Sequence, residues 1–232
     1  MGEHKMRVFT QGEFDALPVV DGFRQCPPGD YSAVREFDDW CSFGVDNRFG
    51  ERCIFGAGCS FGAGSCFGSN CSFGAGSCFG SNCSFGERCT FSAESRFGSH
   101  CSFGHLCRFG VRCEFGRVCG FGEICCFGSE CRFGEVCSFG DCCSFDKGGF
   151  FNGKRALPGY PLLALSGAGS ANRTVYAFNV EGGPWIEAGC FSGDLDDFRA
   201  KVRADGAALK CLQYLGFANI VAATWCPEKV EP

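Results

Sequence analysis

The chain has 232 residues, with 36 Gly, 28 Phe and 22 Cys against 8 Pro, 4 Tyr and 2 Met, a skew that points to internal repeats. Its net charge of -5 argues against a phosphate-backbone binder, which would carry a basic patch, and is too mild for a DNA mimic. No apolar run reaches the ~18 residues of a membrane helix, and the start, MGEHKMRVFTQGEF, has no apolar stretch of the kind a secretory signal carries. With most cysteines on one periodic register, free buried thiols in a reducing cytoplasm are expected rather than a disulfide frame.

Residues 1–36 read as a cap for the repeat array beginning at Phe37. Phe14, Leu17, Val19 and Val20 are apolar, Pro27-Pro28-Gly29 is a turn cluster, and Tyr31 falls on the register of the repeat. Arg35 breaks the small-residue rule of that register, and Trp40 is expected to close the first layer.

Residues 37–152 are the repeat. From Phe37, every sixth residue is Phe without a gap through Phe151, the next is usually Gly, and the fourth after each Phe is small, unbroken Cys from Cys101 to Cys143. The unit is F-G-x-x-C-x. Cys and Phe two apart point to the same side of a strand, and the residue between them points out. The G-x-x segment turns a corner, where Gly takes positive φ or allows close backbone approach, and Gly58, Gly64, Asn70 and Asn82 suit left-handed backbone. Such strands are too short to fold alone and are stable only when stacked. The pattern resembles the hexapeptide repeat of left-handed parallel β-helices, with Phe for the usual aliphatic residue and Cys for the usual small one. The resemblance implies three hexapeptides per triangular coil and left-handed winding. The fold class expected is mainly β: a single-stranded parallel β-solenoid of about six to seven coils, with an N-terminal cap and a small C-terminal α+β domain.

With residues eighteen apart stacked, Leu106 lies over Ile124 and then Cys142, and Val118 lies over Val136 on a neighbouring corner. Large apolar side chains at solvent-facing corners mark a covered surface, covered by the C-terminal segment or by another chain. Leu106, Ile124, Val118 and Val136 are the candidate interface. The charged outward residues are of mixed sign (Glu51-Arg52, Glu87-Arg88, Glu94 with Arg96, Arg112 with Glu114, Glu130 with Arg132) and read as a solvated face.

Residues 153–232 change character. Leu162 to Leu165 is expected as a strand, Gly167 to Ala171 as a loop, and Thr174–Val180 and Trp185–Phe191 as a hairpin about Glu181-Gly182-Gly183-Pro184. Asp194 is expected to cap a helix running to about Arg203, and a second helix to span Ala207 to about Trp225. The lead-in LPVVDG, CPPGDYS and WCSFG, the C-x-F-G array, NRTVYAFN and AGCFSGDLDDFRAKV resemble a family of uncharacterised phage and prophage proteins. That resemblance implies a phage-related setting and carries over no catalytic residue.

Chemistry is sparse. Many hexapeptide-helix proteins are acyl- or acetyltransferases that use a His and a loop inserted between coils, but this array has no inserted loop, and His4, His100 and His105 have no orienting partner in view. Cys125-Cys126 and Cys142-Cys143 are adjacent pairs, not zinc-site spacing, and Cys66, Cys78 and Cys126 read as surface thiols, so no metal or cofactor is expected. An ice-binding surface would need a regular Thr-like array, whereas Ser42, Ser60, Ser72, Ser84 and Ser102 are interrupted by Arg and Glu. No Gly-rich phosphate loop is present, since the F-G-x-G pieces are corners. The expectation is a cytoplasmic, non-enzymatic phage-type accessory protein that binds a host protein or complex, for example to inhibit a defence system such as CRISPR. A homodimer through the apolar corners or the C-terminal module is a further expectation, and an acyltransferase-like enzyme or a structural virion component are the alternatives.

Overall fold

The computed structural model describes residues 6–140, 142–146, 149–151, 153–157, 162–168, 173–188, 191–205 and 208–230. The chain divides into two units, Met1–Asn152 and Gly153–Pro232.

In the first unit each short strand pairs in parallel with the strand eighteen residues on, as in Ser72↔Thr90 with Phe73↔Phe91 and Ser84↔Ser102 with Phe85↔Phe103. Three hexapeptides therefore make one coil, and the solenoid has three sheets, one per face. Its seven coils are numbered by their ring triads, from Tyr31/Phe37/Phe43 (coil 1) to Phe139/Phe145/Phe151 (coil 7).

The rings explain why Phe works in place of an aliphatic residue. Within a coil they meet edge to face, as Phe85–Phe91 do at 5.0 Å and 89°. Between coils they stack nearly parallel, Phe73–Phe91 at 4.7 Å and Phe91–Phe109 at 5.0 Å. The strand spacing of ~4.8 Å sets that stacking distance, and both geometries are favoured by the ring quadrupole. Each ring thus meets its neighbours in two directions, edge to face within the coil and stacked between coils.

Cys fills the inner corners. Its thiol donates to a carbonyl of the preceding coil, as Cys107 Sγ does to Gly86 O (3.5 Å) and Cys125 Sγ to Gly104 O (3.5 Å). Where Ser stands instead, the hydroxyl bonds within its own corner: Ser65 Oγ to Gly62 O (3.0 Å) and Ser77 Oγ to Gly74 O (2.9 Å). The cysteines the structure describes are free thiols.

The glycine after each Phe has a different role from the left-handed one. Its φ is not positive; a Cβ there would strike the coil beneath, 2.7 Å from the Gly98 carbonyl carbon at Gly116 and from the Gly110 carbonyl carbon at Gly128. The left-handed residue comes two positions later. Gly58, Gly64, Asn70 and Asn82 adopt it as expected, and so do His100, Leu106, Val118, Ile124 and Val136, with φ between 58° and 61°.

The first coil is closed by Phe9 and Phe14. Phe9 stacks on Tyr31 at 4.6 Å, and Phe14 meets Phe37 edge-on at 4.9 Å. Phe14 is held by the short helix α1, Gln11–Asp15, which starts in a capping box: Glu13 N–H donates to Thr10 Oγ1 (3.3 Å) and Thr10 N–H to the Glu13 carboxylate (2.9 Å). Arg24 Nη1 donates to the carbonyls of Asp15 (2.7 Å) and Leu17 (3.1 Å) and so closes the far end of α1. Trp40 does not close the layer: it is exposed at an outer corner, edge-on to Phe23 at 5.7 Å. Val19 and Val20 are exposed too, in a hairpin with Phe23–Arg24.

The second unit holds an antiparallel sheet of four strands, Leu162–Ala168, Arg173–Val180, Gly183–Ala188 and Phe191–Asp194, in chain order. The expected strand and hairpin are both present, and a fourth strand, Phe191–Asp194, extends them into a meander. The first strand runs into the expected loop, and residues 169–172 lie outside those described. The Glu181-Gly182 turn forms as expected, with Gly182 at φ 93°. Asp194 does cap helix α2, Leu195–Asp205, accepting from the N–H groups of Asp196 (3.0 Å) and Asp197 (2.8 Å). Helix α3 spans Ala208–Trp225. Val175, Ala177 and Ile186 of the sheet, Phe198 and Val202 of α2, and Phe217, Ala218, Val221 and Ala222 of α3 form one core. Arg199 Nη2 donates to Asn219 Oδ1 (2.7 Å) and ties the two helices together.

Candidate interaction face

The order in which the chain visits the corners decides which outward residues are neighbours. Val118 stands at the corner that leads into the strand Gly120–Phe121, and Ile124 at the corner that leaves it. Val136 and Cys142 flank Ser138–Phe139 in the same way, one coil on. The two apolar columns, Leu106–Ile124 and Val118–Val136, are therefore the two rims of a single face. Sequence spacing gave the stacking within each column, but not the sharing of a face.

The outward residues of that face run Asp30, Arg48, Cys66, Ser84, Ser102, Gly120, Ser138. From Ser84 onward it has no side chain larger than Ser, so a partner surface can approach the backbone closely. The other two faces carry Arg96, Glu114 and Arg132, and Thr90, Arg108 and Cys126, in their later coils. The corner opposite the small-residue face carries Glu94, Arg112 and Glu130. From coil 5 on, the small-residue face thus has apolar left-handed residues at its rims, with Arg117, Glu123 and Glu135 beside them, while the opposite corner is charged at the left-handed position itself.

The rim residues face solvent: Val118 is 41% exposed, Ile124 47% and Val136 50%, with Leu106 half-buried. They also sit in left-handed backbone, where a β-branched side chain crowds its own carbonyl. Each is unfavourable twice over, in hydration and in conformation, by roughly 1–2 kcal/mol for the backbone term alone. The same left-handed backbone recurs at charged corners such as Arg52, Arg88, Glu94 and Arg112, so what sets the rims apart is the exposed apolar side chain.

Ion pairs link successive coils rather than chain neighbours: Glu94–Arg112 at 2.9 Å, Arg96–Glu114 at 3.5 Å and Arg117–Glu135 at 2.7 Å. Glu94 and Arg96, and Arg112 and Glu114, close in sequence, each find a partner eighteen residues away. All are exposed, so each is worth ~0.2–1 kcal/mol.

His100 and His105 stand on opposite rims of the small-residue face. His105 Nδ1 accepts from Glu123 N–H at 2.9 Å and so serves the backbone of the next coil. His4 lies outside the described residues. The inner thiols are poor nucleophiles. Cys107 is pushed up by hydrogen bonds with Cys125 and Cys89 and by burial, while Cys125, bonded to Cys107 and Cys143, is pulled down. Both lie in the buried inner column, where burial favours the neutral thiol. Cys41 is pushed up to about 12, chiefly by its bond with Cys26. Among the described residues, no group of three or more His, Cys, Asp or Glu side chains is placed to hold a metal ion, and no helix is long and apolar enough to cross a membrane. At the N-terminal end of the small-residue face, Asp30, Ser32, Arg48, Phe49, Cys66, Phe67 and Gly68 line an open depression of about 480 Å³.

No family model, curated protein or solved structure matches this chain.

Proposed function

We propose that this protein is a non-catalytic binding scaffold, a phage-type accessory protein whose small-residue face in coils 4 to 7 seats on a host macromolecule. The observation that carries the reading is the placing of Val118, Ile124 and Val136: exposed, β-branched and left-handed, on both rims of one flat strip. A solvated corner has no need of such residues, and Gly64, Asn70 and Asn82 fill equivalent positions of coils 2 and 3 without the cost. The strip suits a flat protein surface better than a nucleic acid, because its outward strand residues in these coils include no Lys or Arg and the rim residues Arg88 and Arg117 stand among Glu87, Glu123 and Glu135. The phage resemblance favours a bacterial defence complex, such as a CRISPR effector, as the partner to be blocked. The free thiols fit the reducing cytoplasm of an infected bacterium.

The test is affinity capture from host lysate with the intact chain and with Leu106→Glu/Ile124→Glu, partners being identified by mass spectrometry. The expected result is a partner held by the wild type and lost by the double variant, with circular dichroism and Tm of the variant unchanged. Equal capture by both would exclude the face. A Tm raised by acyl-CoA would point to an acyltransferase instead, and recovery of the chain in purified virions would point to a structural component.

A further inference from the structure

The inner cysteines of the solenoid stand in columns, eighteen residues from one to the next. One column is unbroken through coils 2 to 7: Cys53, Cys71, Cys89, Cys107, Cys125 and Cys143. The first five are fully buried, and Cys143 is partly exposed. From Cys71 on, each thiol donates to the carbonyl twenty-one residues back, at 3.4 to 3.5 Å. With the same contact repeated in every coil, the thiols are related by a simple translation along the column.

The rings two residues further on measure that translation. Phe91–Phe109 are 5.0 Å apart, Phe109–Phe127 4.9 Å and Phe127–Phe145 4.9 Å, all within 9° of parallel. The Cβ atoms of stacked cysteines are therefore separated by the strand spacing itself, about 4.9 Å. A disulfide needs its two Cβ atoms ~3.5–4.5 Å apart, with a mean near ~3.8 Å. Closing that gap of ~1 Å means drawing two coils together. The backbone resists at the same residues: Arg108 N–H donates to Cys89 O at 2.9 Å, Cys126 N–H to Cys107 O at 3.0 Å and Ser144 N–H to Cys125 O at 2.9 Å. None of these bonds can shorten by that amount.

We infer that the coil spacing holds the stacked cysteines of the solenoid as thiols in oxidising surroundings as well as in reducing ones. Burial acts only by keeping an oxidant out, whereas spacing acts on the bond itself. In exchange with oxidised glutathione, a protein thiolate attacks one sulfur; one S–S bond forms, one breaks, and reduced glutathione leaves. A second thiolate must then attack the protein sulfur of that adduct and release the other glutathione. The stacked neighbour is the nearest candidate for that second attack, and the product is the bridge that the spacing disfavours. Cys143, partly exposed with Cys125 one coil below it, is where spacing and burial part. The inference holds whatever the protein binds.

The test is refolding of the full chain from guanidinium chloride in a glutathione redox buffer, so that every thiol meets the oxidant before the coils form. The buffer is made oxidising enough to place glutathione on the outward Cys66 and Cys126, which are exposed. Alkylation of free thiols and peptide mapping by mass spectrometry follow. The expected product has native circular dichroism, alkylated stacked cysteines and a Tm within about 2 °C of that of chain refolded with reductant. Native protein treated with diamide, which takes two protons and two electrons from a pair of thiols, gives a second reading without refolding: no Cys125–Cys143 bridge is expected. A disulfide joining residues eighteen apart in natively folded chain overturns the inference by either route. So does a Tm raised several degrees by oxidative refolding and restored by reductant, the mark of an unstrained bridge across an eighteen-residue loop.

Discussion

Coils 3 and 6 share a core and differ at their corners. Phe67–Phe73 meet at 5.1 Å and 86°, and Phe121–Phe127 at 4.9 Å and 89°, so the rings pack alike, with Ser77 of coil 3 in the place of Cys131 in coil 6. At the left-handed corner positions, coil 3 has Asn70, Gly76 and Asn82, and coil 6 has Ile124, Glu130 and Val136. The corner conformation is the same in both, and coil 3 has the residues that suit it. The residues at the corners of coil 6 are therefore not the ones its backbone favours, and those of coil 3 are. The core determines that there is a solenoid, and the corners determine what one side of it can touch.

The contrast between core and corner is tested most severely at the core. Phe91→Ala removes a fully buried ring from the middle of the column and should cost about 3–5 kcal/mol, read by chemical denaturation. A loss below about 1 kcal/mol would mean the stacked rings do not hold the coils together. Next come the corners. Val118→Asn and Val136→Asn give coils 5 and 6 the residue of coil 3, and each should raise stability by about 1 kcal/mol while weakening capture of the partner. Destabilisation by either would show that the left-handed valines carry no strain. A smaller effect is expected within the core: Cys107→Ser should cost about 1 kcal/mol or less, because a hydroxyl can bond within its own corner as Ser77 and Ser95 do. A larger loss would show that the thiol bridges between coils matter in themselves.

The smallest effect concerns the cap. The Thr10 N–H bond, followed by the Thr10 hydroxyl and Arg7, holds the Glu13 carboxyl below its ordinary range. A pKa lower in the folded than in the unfolded chain contributes stability that is present above the unfolded value, about 4.3, and is lost as pH falls through the folded value. Urea melts between about pH 3 and 6 should therefore show a slight acid loss in the wild type that Glu13→Gln lacks. Identical profiles would mean that the capping box adds nothing to the stability of the N-terminal cap.

Much of this was legible in the sequence because a period of six admits few alternatives. Phe every sixth residue with Cys two before it fixes strand, core and corner together. The left-handed sites were readable at Gly58, Gly64, Asn70 and Asn82, where residue type and backbone agree, and unreadable at Val118 and Ile124, where stacking overrides preference. The shared face was present in the stretch Val118 to Ile124, which crosses one strand between two corners, but stacking by eighteen draws attention along the columns rather than across them. Phe9 was missed as a cap residue because it lies off the register that exposes Tyr31. In the C-terminal unit no period exists, and the separate strand Phe191–Asp194 was merged with its predecessor although Gly189 stands between them.

The strand register also sets a rule for how this chain can change length. Residues 59–70 and 71–82 are identical, a duplication of twelve. The solenoid accepts the same twelve residues twice because every face reads the same six-residue code. Orientation, however, returns only after eighteen. An added dodecapeptide turns everything after it by two-thirds of a revolution, so that Cys66 and Cys78, the same residue of each copy, look out from different faces. Growth by six or twelve re-aims whatever lies downstream, and growth by eighteen only lifts it by one strand spacing. Length in such a molecule is also a dial for direction.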